Sequence, residues 1–557
     1  MLWPAVIILG FLGVTTLAWW RYCQVLRTTE PAEPADAHIL AGVPAADPWL
    51  RAEHQRGVAW LHEIFERSAQ RYPDFTALQV PATGEVLSYG ELNTRAEQLA
   101  TVISGHLSAP DQVVAVSLEQ NQAEIVAAHL AILKAGATQL FLDPAATETM
   151  RRHMLEDAQP VLLIQDHDGE SNSAAPVLNV KRVSATASTA RTPPGWLDEP
   201  SERLAALFYT SGTTGQPKGV ECAHAGYINL AQSYASYFDF TAGADATSLT
   251  SSLGYDGSIS ELYSAWVTGA AVVLLTKDEV RSGPDLLPIL CREEVTALFC
   301  PPVLLSTLTD QPEIDLPYPI CRYIIPAGEA FPANLVQPWS RARRQIINTY
   351  GPTEASTDTS RQLLIPGKPV TIGSPFPGVS YVILEPGALE ALPRGESGEL
   401  CIAGCHLARG YRNLPGVTAE RFIDHPTYGR LYRTGDRCRI DPVSNQVEFG
   451  GRLDAQLKVR GHRVEAQGIE SFLQDQIEEI ESAVVTYRDD ELIAHVIAPG
   501  RATFTTSDAP VQAAATDWTQ TLQFQLRQHF PEYAVPARFF LMREFPLKPL
   551  SGKIDRE

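Results

Sequence analysis

The chain has 557 residues, 45% hydrophobic and 20% charged, with 44 Lys+Arg against 65 Asp+Glu and a formal charge of -21. These are globular proportions, with length for roughly two to four domains. The acidic balance argues against nucleic acid as a partner, because a surface for phosphate backbones needs net Lys/Arg to release counterions. Cysteines at 23, 222, 291, 300, 321, 401, 405 and 438 form no C-x-x-C pair and no zinc-ligand pattern, and read as small buried hydrophobes in a reducing compartment.

Met1–Trp20 is uncharged, apolar and about long enough to cross a bilayer. Trp19, Trp20 and Tyr22 would lie at the interface, with Arg21 and Arg27 beyond it. No basic stretch precedes the apolar run and no small-residue cleavage site follows it, so residues 1–27 read as an uncleaved anchor with the body in the cytoplasm. Residues 28–56, rich in Ala, Pro and acids, read as a tether. Globular patterning begins near Val58, where Trp60, Leu61, Ile64, Phe65 and Ala69 recur at helical spacing. Strand-like and helix-like runs then alternate, as in Leu87–Tyr89 before Leu92–Leu99 and Val113–Leu118 before Glu124–Leu133. That alternation predicts α/β architecture, parallel sheets covered by helices. Asp166–Pro200 and Gly500–Thr519 read as loops, and past Gly450 the pattern becomes a shorter α+β segment. The expected division is a large unit over 57–453 and a small one over 454–557.

Leu204–Phe208 reads as a buried strand running into Tyr209-Thr-Ser-Gly-Thr-Thr-Gly-Gln-Pro-Lys-Gly219. The glycines let successive N–H groups turn toward an anion, the hydroxyls of Thr210, Ser211, Thr213 and Thr214 add donors, and Lys218 adds charge. The spacing is not that of a Walker A loop.

This loop resembles the signature of the adenylate-forming superfamily, and the chain from about Leu61 to Asp555 resembles a nonribosomal peptide synthetase adenylation domain. Other motifs carry the resemblance in order: Leu87–Asn93, Leu133–Gly136 with Leu142–Pro144, Asn348-Thr-Tyr-Gly-Pro-Thr-Glu354, Gly398–Leu400, Ala408–Tyr411, Tyr432–Asp436, Gly451–Gly461 and Pro549–Asp555. The resemblance implies a large body of helix-covered sheets and a small mobile C-terminal α+β domain. It also implies ATP and Mg2+ as cofactors, with Thr210, Ser211, Gly212, Thr213, Thr214, Gly215 and Lys218 at the phosphates. Glu354, beside Thr353, would meet the metal; Asp436 would take the ribose hydroxyls; Tyr350 would stack on adenine and Arg452 would contact the nucleotide. Lys553 would bridge the attacking carboxylate and the α-phosphate.

Tyr255–Trp266 reads as a helix entry in which Ser258 and Glu261 form a capping box, leaving Asp256 free of the capping role. In amino-acid-activating relatives an Asp at the matching position pairs with the substrate ammonium. Gly257, Ser260, Val303, Ile325, Ala327, Thr349, Thr357 and Asp358 match the family's side-chain pocket. A buried Asp358 wants a donor from substrate or neighbour, which favours a polar side chain, hydroxyl or cationic amine. Asp454 matches the hinge about which the small domain turns to deliver the aminoacyl group to a carrier's phosphopantetheine. No carrier signature is present, so the expected partner is a carrier protein in trans or in a longer parent chain. Gly404-Cys-His406 departs from the family's usual Gly-x-Gly. The alternatives are an acyl-CoA or aryl-acid ligase, which the presence of Asp256 disfavours, and a non-catalytic membrane scaffold.

Overall fold

The computed structural model describes residues 38–42, 53–143, 146–167, 175–183, 203–211, 216–341, 343–454, 456–459, 462–488, 491–501 and 511–546. The expected anchor Met1–Trp20 lies outside them; among the described residues no helix is long and apolar enough to cross a membrane.

The alternating pattern folds as a mixed α/β body. A seven-stranded sheet runs, in spatial order, from Gly410–Tyr411 through Lys218–Ala223, Leu204–Thr210, Thr138–Phe141, Val113–Ser117 and Leu162–Gln165 to Val177–Asn179, parallel from Leu204–Thr210 onward. A nine-stranded sheet is parallel across its centre, where Thr76–Val80, Ala271–Leu274, Ala246–Leu249, Ala297–Cys300, Tyr323–Pro326 and Gln345–Tyr350 adjoin. Such strands are covered on both faces and so read as near-continuous apolar runs. Ser88 and Glu91 do form a capping box, starting helix Tyr89–Ser104. Helix Ala123–Ala135 is buried along its whole length, and Lys134 in its last turn pairs with Glu66 and, at 2.7 Å, with Glu97 from two neighbouring helices.

Within the stretch read as a tether, Ile39–Ala41 is an antiparallel strand on Ser380–Val382 at the edge of a third, six-stranded sheet. Arg394 Nη2 donates to the Ile39 carbonyl at 2.8 Å. Gly42 follows so close to the body that a Cβ would sit 1.8 Å from the Phe376 carbonyl oxygen. The tether reading of 28–56 therefore does not hold for these residues. From Val459 onward the chain builds its own hydrophobic cluster, reaching Leu541, under a four-stranded mixed sheet and helices Ala466–Gln476 and Thr516–Arg527.

Helix Gly257–Trp266 starts without the expected capping box. The Ser258 hydroxyl donates back to the Tyr255 carbonyl at 2.7 Å, and the Glu261 carboxylate turns away to accept from the backbone amides of Thr250 and Ser251. The reason is local: strand Ala246–Leu249 ends beside the helix and leaves these two amides without strand partners. Glu261 thus fixes the loop after that strand, and burial pushes its carboxyl from 4.5 up to about 8 against the pull of those donors. A carboxyl held protonated in the fold stabilises it fully below its unfolded value of 4.5 and loses that contribution as pH rises through about 8. The melting-temperature advantage of wild type over Glu261→Gln should shrink across that window. A difference that does not change with pH counts against this role.

Candidate active site

Loops leaving the carboxyl ends of the parallel strands Ala246–Leu249, Ala297–Cys300, Tyr323–Pro326 and Gln345–Tyr350 meet at a cleft of about 1510 Å³. The crevice outside the carboxyl ends of an open α/β sheet is the general place for a ligand. Strand Leu204–Thr210 of the seven-stranded sheet delivers Thr210 and Ser211 to the same cleft. The small unit borders it through Gln456 and Val459 of a hairpin and through Gln523, Arg527 and Pro531.

One end of the cleft is acidic. Asp256 occupies the position before helix Gly257–Trp266, is 3% exposed and makes no cap bond. Burial raises its carboxyl to about 6, while the hydroxyls of Thr357 and Thr353 pull it back. Thr357 reaches it because Ser356 and Thr357 take left-handed backbone, φ 52° and 73°, an uncommon conformation for a β-branched residue. Gly351 permits that loop: a Cβ there would lie 1.7 Å from the Thr357 carbonyl oxygen. Gly257, Ser260, Val303, Ile325, Ala327, Thr349 and Asp358 all line the cleft with Asp256.

Asp358 finds its donors inside the protein. Its Oδ2 accepts from the Tyr234 hydroxyl at 2.7 Å and the Ser260 hydroxyl at 2.6 Å. Hydrogen-bond satisfaction therefore no longer argues for a polar substrate side chain. Tyr234 stands on helix His224–Tyr237, 124 residues away in sequence, and no sequence motif points to it.

The other end carries the nucleotide candidates. The Tyr350 hydroxyl donates to Asp436 Oδ2, and Arg452 Nη1 donates to Asp436 Oδ1 at 2.8 Å. The same guanidinium grips Asp454, Nε to Oδ1 at 2.9 Å and Nη2 to Oδ2 at 2.7 Å. Thr210 Oγ1 and Asn348 Oδ1 are buried on the cleft wall without a hydrogen-bond partner. Orphaned buried polar atoms are rare and fit a polar ligand. Asn348 belongs to a recognised motif, but sequence reasoning gave it no role.

Three expected residues stand back from the cleft lining. Glu354 is fully buried behind Thr353 and accepts from the Tyr411 hydroxyl at 2.6 Å. Lys218 Nζ lies 5.2 Å over the Tyr411 ring, so Tyr411 joins the phosphate loop to Glu354. Asp454 lies behind Arg452. Among the described residues no cluster of three His, Cys, Asp or Glu could hold a metal. Gly212, Thr213, Thr214, Gly215 and Lys553 lie outside the described residues.

Residues 65–412 match the AMP-binding enzyme family. Tyrocidine synthase 2 of Brevibacillus parabrevis is 35% identical over 508 residues, covering 89% of this chain and 13% of its own length. This chain thus spans a small part of that relative. NpsA-ThdA, an artificially fused adenylation–PCP di-domain nonribosomal peptide synthetase from Klebsiella oxytoca, superposes with a TM-score of 0.70 at 26% identity, over 86% of this chain and 93% of that one. o-Succinylbenzoate CoA synthetase from Bacillus subtilis shares the fold at a TM-score of 0.72 and 21% identity, over 88% of this chain and 97% of that one, so fold alone does not separate amino acid activation from CoA ligation. The chain belongs to the AMP-binding enzyme family and has the adenylate-forming fold of nonribosomal peptide synthetase adenylation domains.

Proposed function

We propose that the chain adenylates an amino acid with ATP and passes the aminoacyl group to the phosphopantetheine thiol of a carrier protein in trans. The observation that carries this reading is Asp256: a buried carboxylate, held by neutral hydroxyls, in the same cleft as the unpartnered Thr210 and Asn348 oxygens. An α-ammonium supplies the charge that Asp256 lacks, which a fatty or aryl acid cannot do.

In this reading the adenine amine donates to Asn348 Oδ1 and Tyr350 stacks on the base. The ribose hydroxyls donate to Asp436, whose oxygens keep acceptor sites beside Tyr350 and Arg452. The Thr210 and Ser211 hydroxyls and the Gly212–Gly215 amides hold phosphate oxygens. Glu354 would be the protein-side carboxylate for a magnesium ion, which would screen the phosphate charge. A substrate carboxylate oxygen then attacks the α-phosphorus, the new C(O)–O–P link forms, and pyrophosphate leaves. Lys553 neutralises charge developing between carboxylate and phosphate. Rotation at Asp454 exchanges Lys553 for the hairpin loop, and the carrier thiol attacks the acyl carbon to release AMP. The fused adenylation–PCP architecture of the Klebsiella structure supports a carrier partner. Membrane attachment through Met1–Trp20 belongs to the same proposal, with residues 1–27 as anchor, 57–453 as catalytic body and 454–557 as the moving unit.

ATP–pyrophosphate exchange over a substrate panel tests the reading. Amino-acid-dependent exchange is expected; exchange only with acids lacking an amine establishes the ligase, and none at all the scaffold. Lys553→Ala should abolish exchange with the fold intact by circular dichroism. Asp256→Ala should lower kcat/KM for the amino acid on the order of 100-fold, as for an unpaired charge. Asn348→Ala should raise KM for ATP about tenfold while leaving that for the amino acid unchanged. Equal effects on both substrates would remove Asn348 from the adenine site.

A further inference from the structure

Asp256 is matched by a second buried carboxylate, Asp358, at 3% and 6% exposure respectively. The two are held at a set spacing. Ser260 lies one helical turn beyond Asp256, a rise of about 6 Å, and its hydroxyl donates to Asp358 Oδ2 at 2.6 Å. From the facing loop, Thr357 donates to Asp256 while its neighbour Asp358 meets Ser260. One face of a helix and one strained loop thus place both carboxylates in the same cleft.

Every donor to Asp358 is neutral: Tyr234 at 2.7 Å, Ser260 at 2.6 Å, and Thr349 beside them. Hydroxyls satisfy hydrogen bonding but bring no positive charge, and a buried carboxylate without a cation is costly. Among the described residues no ion pair reaches Asp256 or Asp358. The pairs made by the cleft's Lys277, Arg452 and Arg527 run to Asp143, Asp436, Asp454 and Glu532 instead. The Tyr234 and Ser260 bonds both land on Oδ2, and a carboxylate bears two oxygens with about four acceptor sites, so Asp358 keeps acceptor capacity for a ligand. The wall of the same cleft also carries the apolar Phe299, Val303, Ile325 and Ala327, which suit an aliphatic stem.

We infer that the substrate is a diamino acid, its α-ammonium on Asp256 and its side-chain ammonium on Asp358. The inference rests on the amino acid activation proposed above and narrows its substrate class. A hydroxyl or amide side chain would hydrogen-bond Asp358 but leave the second charge uncompensated.

The test uses the full chain in ATP–pyrophosphate exchange with 2,4-diaminobutyrate, ornithine and lysine against homoserine, glutamine and norleucine, with ATP binding followed by calorimetry. At least one diamino acid should exceed every uncharged counterpart in kcat/KM by about 100-fold, the effect of a desolvated charge pair. Asp358→Asn should erase that preference by raising KM for the diamino acid, with kcat little changed. Highest kcat/KM for an amino acid without a side-chain amine overturns the inference, as does an unaltered preference in Asp358→Asn. If that variant does not fold, the wild-type panel decides alone. Absence of exchange with any amino acid while ATP still binds overturns amino acid activation itself, and the diamino acid with it.

Discussion

Carboxylates buried in one cleft are the constraint around which the rest of the site is arranged. Asp256, Asp358, Glu261 and Asp436 are each under 10% exposed, and a buried carboxyl oxygen must be met by a donor. The body meets them almost entirely with hydroxyls and backbone amides. Thr357 and Thr353 serve Asp256, Tyr234 and Ser260 serve Asp358, and the Thr250 and Ser251 amides serve Glu261. These demands shape the backbone: the left-handed Ser356–Thr357 pair is the conformation that puts a Thr hydroxyl on Asp256, and Gly351 is the residue that leaves room for it.

Asp436 is the exception, because its donor is a cation shared with the small unit's entry. Arg452 spans from Asp436 to Asp454, touching the proposed ribose acceptor with one nitrogen and the proposed hinge with two. Tyr350 meets the other oxygen of Asp436, and both oxygens keep acceptor capacity beside these donors. Arg452 Nη1 also donates to the Thr434 carbonyl at 3.0 Å, so one guanidinium ties the proposed ribose acceptor, the strand that carries it and the proposed hinge together. The proposed nucleotide end and the local tie of the hinge are in this way parts of one hydrogen-bond network.

Legibility followed range. The buried strand before the phosphate loop and the parallel sheets come from local periodicity and adjacent residues, and these the chain states openly. The gathering of Asp256, Thr349, Asp358, Asp436 and Arg452 in one cleft was legible only through motif resemblance, since no local pattern joins them. Tertiary partners escaped it. Ser258 and Glu261 have capping-box spacing, but two unpaired loop amides offered Glu261 a stronger partnership than its own helix start. Ile39–Ala41 sits in a Pro- and Ala-rich run, and only the exposed edge of Val379–Leu384 makes it a strand. Asn348 was named with its motif, yet its unpartnered oxygen emerges only once its neighbours are placed.

The two ends of the cleft also explain how so acidic a chain can receive a polyanion. Net charge sets the long-range field, but binding is decided by what lines the contact. The proposed nucleotide end pairs its own carboxylate, Asp436, with Arg452, and has the Thr210 and Ser211 side chains on its wall. The opposite end leaves Asp256 and Asp358 without cations. Phosphates entering the wrong end would face two uncompensated acids, while an ammonium entering the nucleotide end would find its carboxylate already taken. In the proposed reading, the same charges that burden the fold sort the substrates.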